Sequence, residues 1–597
     1  MRPANAGTRG LIPRNSLPRG GRGDPAHPAQ RTNVVALNRP GEPRGSDHDP
    51  PRGRTLATRY ARYVSTRRTP QSEPIPGSPQ VPNSAGGFAF AADDWTRLDR
   101  FLVLGAEGGS YYASERELTL DNAAAVRRCI EADGRRTVAR VVEISTAGRA
   151  PKNDPAVFAL AMAAGMGRAE TRAAALAALP RVCRTGTHLF QFAASVQGFR
   201  GWGRGLKRAV AGWYTGRAPR DLAYQLSKYQ QRGGWSHRDL LRLCHVRAEG
   251  PANEAIRWAA GKADAVAADP TDPAAPLAPI EAFEAAKRAT TAAEVVRLIR
   301  DFALVRECVP TRWLGETGVW DALLDAMPLA ALVRNLATMT RIGLLAPGTP
   351  ATNRVLDRLA DRERLRRSRL HPIAVLSAQR TYAAGRGVRG RATWAPVPGI
   401  VDALDRAFYA AFDAVEPTGK RWLLALDVSG SMGGSDVAGV PGLTARDASA
   451  AMALVTAAVE PAHHIIGFTG RWSPGGGAGV EPLPIRPGQR LTDAVRIISD
   501  LPMGPTDCAL PMLYALERKI AADVFAVYTD SETWHGDIHP VQALRQYRER
   551  TGVGAKLIVV GMVSNGFTIA DPDDAGMLDV VGFDTAVPPL MGQFAVG

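Results

Sequence analysis

Of this 597-residue chain, the stretch that most constrains the fold is RWLLALDVSGSM, Arg421 to Met432. The apolar run from Trp422 to Leu426 predicts a strand buried on both faces, as in parallel sheets covered by helices on each side. The chain then turns polar at once: Asp427, Ser429 and Ser431 alternate, and Gly430 and Gly433 loosen the turn. Three oxygen-bearing side chains at alternate positions just past a parallel strand can point into one crevice at its carboxyl end, where open α/β sheets bind ligands. Their oxygens suit a hard cation such as Mg²⁺, which takes one or two carboxylates and keeps several waters. Taken alone, a plain strand running into a Ser/Gly loop accounts for Asp427 to Met432 equally well.

Two later stretches favour the crevice. Thr506 and Asp507 sit in GPTDCALPM, a Gly/Pro-framed loop that opens a helix, and Asp530 follows the apolar strand VFAVYT. In these contexts and this order, the D-x-S-x-S pattern resembles the metal-ion-dependent adhesion site of a von Willebrand factor A domain. The resemblance implies that Asp427, Ser429, Ser431, Thr506 and Asp530 surround a divalent cation, with Mg²⁺ the expected occupant. Around them the pattern alternates. The predicted strands are RWLLALDV, HHIIGFT, VFAVYTD, KLIVVGMV and LDVVGFD. The predicted helices are ARDASAAMALVTAAVE, LTDAVRIISDL, CALPMLYALERKI and PVQALRQYRER. Such βα alternation predicts a doubly wound α/β domain over 413–597.

The rest of the chain differs. Residues 1–85 are rich in Arg, Gly and Pro without periodicity and are expected to be disordered. Arg22-Gly23-Asp24 in that tract reads as a chance tripeptide, and Arg68 to Gly87 reads as extended and polyproline-like. Residues 86–412 carry helical patterning almost throughout, with caps expected at Asp121, Asp154 and Ser236 and a break before Pro328. Helix after helix over so long a span suggests stacked helical repeats, although no clean repeat period is visible.

Charge divides the chain the same way. Residues 420–597 hold 13 Lys and Arg against 19 Asp and Glu, whereas residues 81–419 hold 47 against 34. A net charge of +16 that resides outside an acidic domain suggests a polyanionic partner for the helical part. No apolar run approaches the roughly 18 residues of a membrane span. Five dispersed cysteines fit reduced thiols and a cytoplasmic setting.

Cations and aromatics interleave most densely in GWGRGLKRAVAGWYTGR and SKYQQRGGWSHRDLLRLCH. Arg204, Lys207, Arg208, Lys228, Arg232, His237 and Arg238 are candidates for RNA contact, among Trp202, Trp213, Tyr214, Tyr229 and Trp235. Cations position phosphates, and aromatic rings stack unpaired bases. Trp213 and Tyr214 read equally as core residues of an amphipathic helix, and His188 and His371 as structural. His237 follows the cap Ser236, where first-turn N–H groups also favour a phosphate.

These stretches, with VCRTGTHLFQF, LVREC, MPLAALVRNL and RLHPIAVLSAQRTYAAGRGVRG, resemble the TROVE module of the Ro 60 kDa autoantigen family. The acidic domain fits the same family, so the match runs from about Arg68 to the end. Residues 1 to about 58 have no counterpart there, and their composition is that of a translated leader. The resemblance implies a ring of HEAT-like helical repeats closed by the A domain. It further implies a Y-like small noncoding RNA on the outer basic surface, single-stranded 3′ ends of misfolded RNA in a central hole, and a 3′ exoribonuclease tethered through RNA. A monomeric, non-enzymatic scaffold for RNA quality control is expected. The alternatives are a metal-dependent protein-adhesion module with the helices as platform and, less favoured, a metal-activated nuclease.

Overall fold

The computed structural model describes residues 68–597 except 107–109, 111–112, 263–265, 267–269, 369, 388–390, 413–415, 435, 438–442, 471–478 and 584–585. The Arg22-Gly23-Asp24 tripeptide lies outside the described residues. The strands are β1 (Gln80–Pro82), β2 (Phe88–Ala91), β3 (Gln231–Arg232), β4 (Trp235–Ser236), β5 (Trp422–Asp427), β6 (His463–Phe468), β7 (Val480–Pro482), β8 (Val524–Thr529), β9 (Lys556–Gly561), β10 (Phe567–Thr568) and β11 (Met577–Val581).

The carboxyl-terminal sheet runs β11-β9-β8-β5-β6-β7. Its pairs are parallel except β6 with the short edge strand β7, which has no counterpart in the sequence reading. Alternate residues of β5 enter two cores, the signature of a sheet covered on both faces. Leu424 and Leu426 join the large core, while Leu423 and Ala425 join a smaller one. The doubly wound prediction therefore holds, with β5 central and Asp427 at its carboxyl end.

Between Asp94 and Ala410 the described chain is helical apart from short connections and the β3–β4 hairpin. Several helix starts differ from expectation. The helix expected from Asp121 begins at Glu115, because Ser114 and Glu117 form a reciprocal capping box upstream. Next, Asn153 occupies the cap position expected for Asp154. Ser236 and Pro328 stand where predicted.

Both ends of the helical run are fastened to the α/β domain. Near the start, Arg100 is fully buried; its guanidinium donates to the carbonyls of Asn565 (2.9 Å) and Phe567 (2.8 Å) and pairs with Asp579 (2.5 Å). Near the end, Asp405 accepts from the Leu491 amide (2.9 Å) and the Tyr409 hydroxyl donates to Gln489 O (2.8 Å). Arg380 pairs with Asp447 in between. Within the helical run, His371 Nε2 meets the carbonyl of Arg149 across 222 residues (2.9 Å).

The expectation of disorder through residue 85 is corrected for 69–85, which form an ordered strap on the α/β domain. Its Ile75 and the following Phe90 complete the smaller core, and β2 pairs with β10. Polar side chains do the rest. Gln71 Nε2 donates to Asp507 Oδ1 (2.6 Å) and Ile538 O (2.8 Å), while the Thr533 hydroxyl donates to Gln71 Oε1. Asn83 donates to Thr533 O (2.6 Å), and the Ser84 amide donates to Glu532 (2.8 Å). Gly87 lies so close to Thr533 and Trp534 that a Cβ would overlap the backbone. Gln71→Ala would remove three buried hydrogen bonds, and each partner left unmet would cost about 1–3 kcal/mol. A clearly lowered melting temperature is expected; an unchanged one would mean that the strap is not part of the cooperative unit.

Candidate metal crevice and nucleic-acid interface

At the carboxyl end of β5, Asp427, Ser429, Ser431, Thr506 and Asp530 are all buried. Asp427 Oδ1 accepts from the Ser429 amide (2.9 Å), and the Ser429 and Ser431 hydroxyls are 3.1 Å apart. Asp427 Oδ2 accepts from Thr529 Oγ1 (2.6 Å). Burial, and then the charge of Asp427, raise the Asp530 carboxyl to about 8, against a hydrogen bond from Ser431. Burial likewise raises Asp427. Thr506 enters through its backbone, whose carbonyl accepts from the amides of Trp534 (3.1 Å) and His535 (3.0 Å), joining the second and third loops.

Burial disfavours the ionised forms of both carboxyls, with one guanidinium at Arg446 in partial compensation, and a bound cation would favour their ionisation. Among the described residues no three His, Cys, Asp or Glu side chains gather as a metal centre. A donor set here therefore depends on the hydroxyls, as a hard cation permits. The sequence reading missed Thr529, which holds Asp427, and Arg446, which donates to the carbonyls of Val428 and Ser429. Thr529 had a visible signal, since it ends the strand that presents Asp530; Arg446 had none.

The cationic candidates lie on the helices Arg204–Thr215 and Pro219–Lys228, the β3–β4 hairpin and the helix His237–Cys244. In the first helix Leu206, Val210, Trp213 and Tyr214 face inward, confirming the core reading of the two aromatics and turning Arg204 and Arg208 to solvent. Gly233 and Gly234 both have positive φ (56° and 81°), as a two-residue type I′ turn requires, so Arg232 pairs with Trp235 across the hairpin. Arg217 is paired with Asp221 (2.6 Å). By contrast, Arg204, Arg208, Arg232 and Arg238 are exposed and reach no carboxylate among the described residues. Lys207 is half-buried; Lys228 is too, its ammonium 2.8 Å from the Tyr224 hydroxyl and near the Tyr229 ring.

His237 does not join them on the surface. It is buried against Phe190 and Trp213, with Nδ1 2.9 Å from the Tyr214 hydroxyl. Gly186 makes the seat possible, because a Cβ there would lie 2.9 Å from Nε2. Direct contact with a phosphate is thereby corrected to a packing role: the first-turn position was legible, but the pocket that covers it is tertiary. His371 caps its own helix, as a structural residue would.

A helical run with exposed arginines that meet no carboxylate among the described residues, fastened at both ends to a doubly wound domain with buried carboxylates at the end of β5, defines the class. Matches to known proteins give the family. A model of the TROVE domain matches residues 81–272 and 296–420, and one of the Ro60 vWA domain matches 421–595. RNA-binding protein RO60 of Deinococcus radiodurans is 42% identical over 538 residues, covering 90% of this chain and 99% of the relative. The protein of the same name from Caenorhabditis elegans is 36% identical, over 87% and 90% respectively. The crystal structure of the Deinococcus radiodurans RO (RSR) protein superposes with a TM-score of 0.64, covering 85% of this chain and all of that one. The chain belongs to the Ro60 family.

Burial lowers the His237 imidazole to about 4. Its neutral form therefore contributes stability that is complete above an unfolded pKa near 6.5 and is lost as pH falls towards 4. His188 and His371 shift the same way. The melting temperature should fall between pH 7 and 5, and His237→Gln should make that fall shallower. An NMR titration of His237 with a midpoint near 6.5 would contradict the buried, neutral assignment.

Proposed function

We propose that this protein is a non-enzymatic, cytoplasmic RNA-binding scaffold. The observation that carries the reading is the set of exposed arginines Arg204, Arg208, Arg232 and Arg238, which have no acidic partner among the described residues, on a helical part distinct from the acidic domain. Unpaired guanidiniums bind phosphate at little cost, because no ion pair must first be broken. The similarity to RNA-binding proteins of both named relatives supports it. In this reading a Y-like structured RNA occupies the outer basic surface. Single-stranded 3′ ends of misfolded RNA enter a hole enclosed by the helices, and a 3′ exoribonuclease joins through the RNA to degrade or mature it.

Log affinity for RNA should fall linearly with log salt, by about 0.7 per contacted phosphate for single strands. Lys207→Ala combined with Arg208→Ala should weaken all RNA sequences and flatten the slope by about one to two contacts. An unchanged affinity at fixed salt would return these residues to an ordinary solvated surface.

A second reading rests on the buried carboxylate pair at the crevice. Asp427, Ser429 and Ser431 would hold Mg²⁺, with Thr506 and Asp530 directly or through water. The bound cation would supply a Lewis-acidic position able to accept an acidic side chain of a partner protein. Asp427→Ala should abolish binding of Mn²⁺, used as a spectroscopic probe, and leave RNA affinity unchanged. Full retention of Mn²⁺ would refute the assignment.

A further inference from the structure

Trp202 and Trp235 come from different elements, one just before the helix Arg204–Thr215 and the other on β4, yet their rings meet with centroids 5.4 Å apart and planes tilted by 48°. Both remain half-buried rather than enclosed. The backbone on either side is bare. Gly201, Gly203, Gly233 and Gly234 are exposed, and a Cβ on any of them would meet nothing within 4 Å. The turn demands glycine at 233 and 234. Gly203 caps the helix Arg204–Thr215, a position that favours glycine, but Gly201 has neither a positive φ nor a neighbour packed against it. Glycine at 201 leaves room for close approach from outside.

Charge around the pair selects what approaches. Arg232 lies directly across the hairpin from Trp235, so the two side chains share one face. Arg204 is two residues beyond Trp202 and opens its helix, whose first amides add positive potential. Phosphates held on both sides would place the intervening nucleotide over the indoles. A paired base inside a duplex keeps its faces stacked and cannot use an aromatic surface, whereas an unpaired base can.

Resting on the RNA-binding reading above, we infer that Trp202 and Trp235 form a stacking platform for an unpaired nucleobase, with Arg204 and Arg232 holding the flanking phosphates. Arginines on a basic surface bind any RNA. The platform adds selection for RNA that has a bulge, loop or free end.

Two RNA probes of equal length and charge test this: a blunt, fully paired duplex and a hairpin with an unpaired tail. Binding is measured over a salt series. Trp202→Leu should weaken the tailed hairpin by roughly five- to a hundred-fold, spare the duplex, and leave the salt slope intact. Trp202→Phe, which keeps an aromatic face, should retain most of the affinity; Trp235→Leu should resemble Trp202→Leu. Arg232→Ala should instead weaken both RNAs and reduce the slope. Equal losses on both probes, no loss at all, or a Phe variant as weak as the Leu variant would overturn the platform while leaving RNA binding in place. Failure of the unmodified protein to bind either probe would remove both readings together.

Discussion

The guanidinium of Arg100 holds the architecture together. A cation with no access to water is costly unless its hydrogen bonds are met, and here two carbonyls and the Asp579 carboxylate converge on it from the loop after β9, from β10 and from β11. Removing Asp579 would leave that charge buried and unpaired. The first helices of the run are thus fixed to one edge of the sheet, while the chain itself crosses into β5 near the other end of the helical part. The helical run is fastened at both of its ends rather than hung from one linker.

That arrangement gives the two halves different electrostatic work. The α/β domain gathers carboxylates into a buried crevice, where burial raises Asp427 and Asp530 and Arg446 supplies partial compensation. The helical part uses many of its acids in ion pairs, such as Arg140 with Asp99 and Arg217 with Asp221. Around the hairpin the arginines have no acidic partner among the described residues. An unpaired cation in water is cheap to keep and immediately available to a phosphate, so the same residue type is structural at position 100 and available for ligands at 204 or 232.

Much of this was legible in the sequence, for reasons that particular elements make plain. The parallel strands declared themselves because they are apolar on both faces, and Asp427, Ser429, Ser431 and Asp530 because they sit where such strands end. Helices were visible by period, yet their starts were misplaced where two capping signals competed: Ser114 with Glu117 prevailed over Asp121, since a reciprocal box satisfies two amides rather than one. β7 was too short to show a pattern. The strap escaped notice because amides, glycine and two apolar residues far apart in sequence hold it, and none of these has a period. His237 reads as a surface residue until Phe190, Trp213 and Gly186 are folded around it.

The strap also orders events in time. Ile75, Phe90 and the free edge of β2 lie near the start of the chain, but the core and the strand that cover them are assembled from residues 423–577. At a synthesis rate of about 5–20 residues per second, these groups wait on the order of half a minute to a minute and a half before their partners emerge. During that interval the nascent chain carries an uncovered apolar pair and an unpaired strand edge, both prone to misassociation. Burial of this early segment is therefore completed only by residues made some 330 to 500 positions later, and its exposure during synthesis is set by chain length rather than by local contacts.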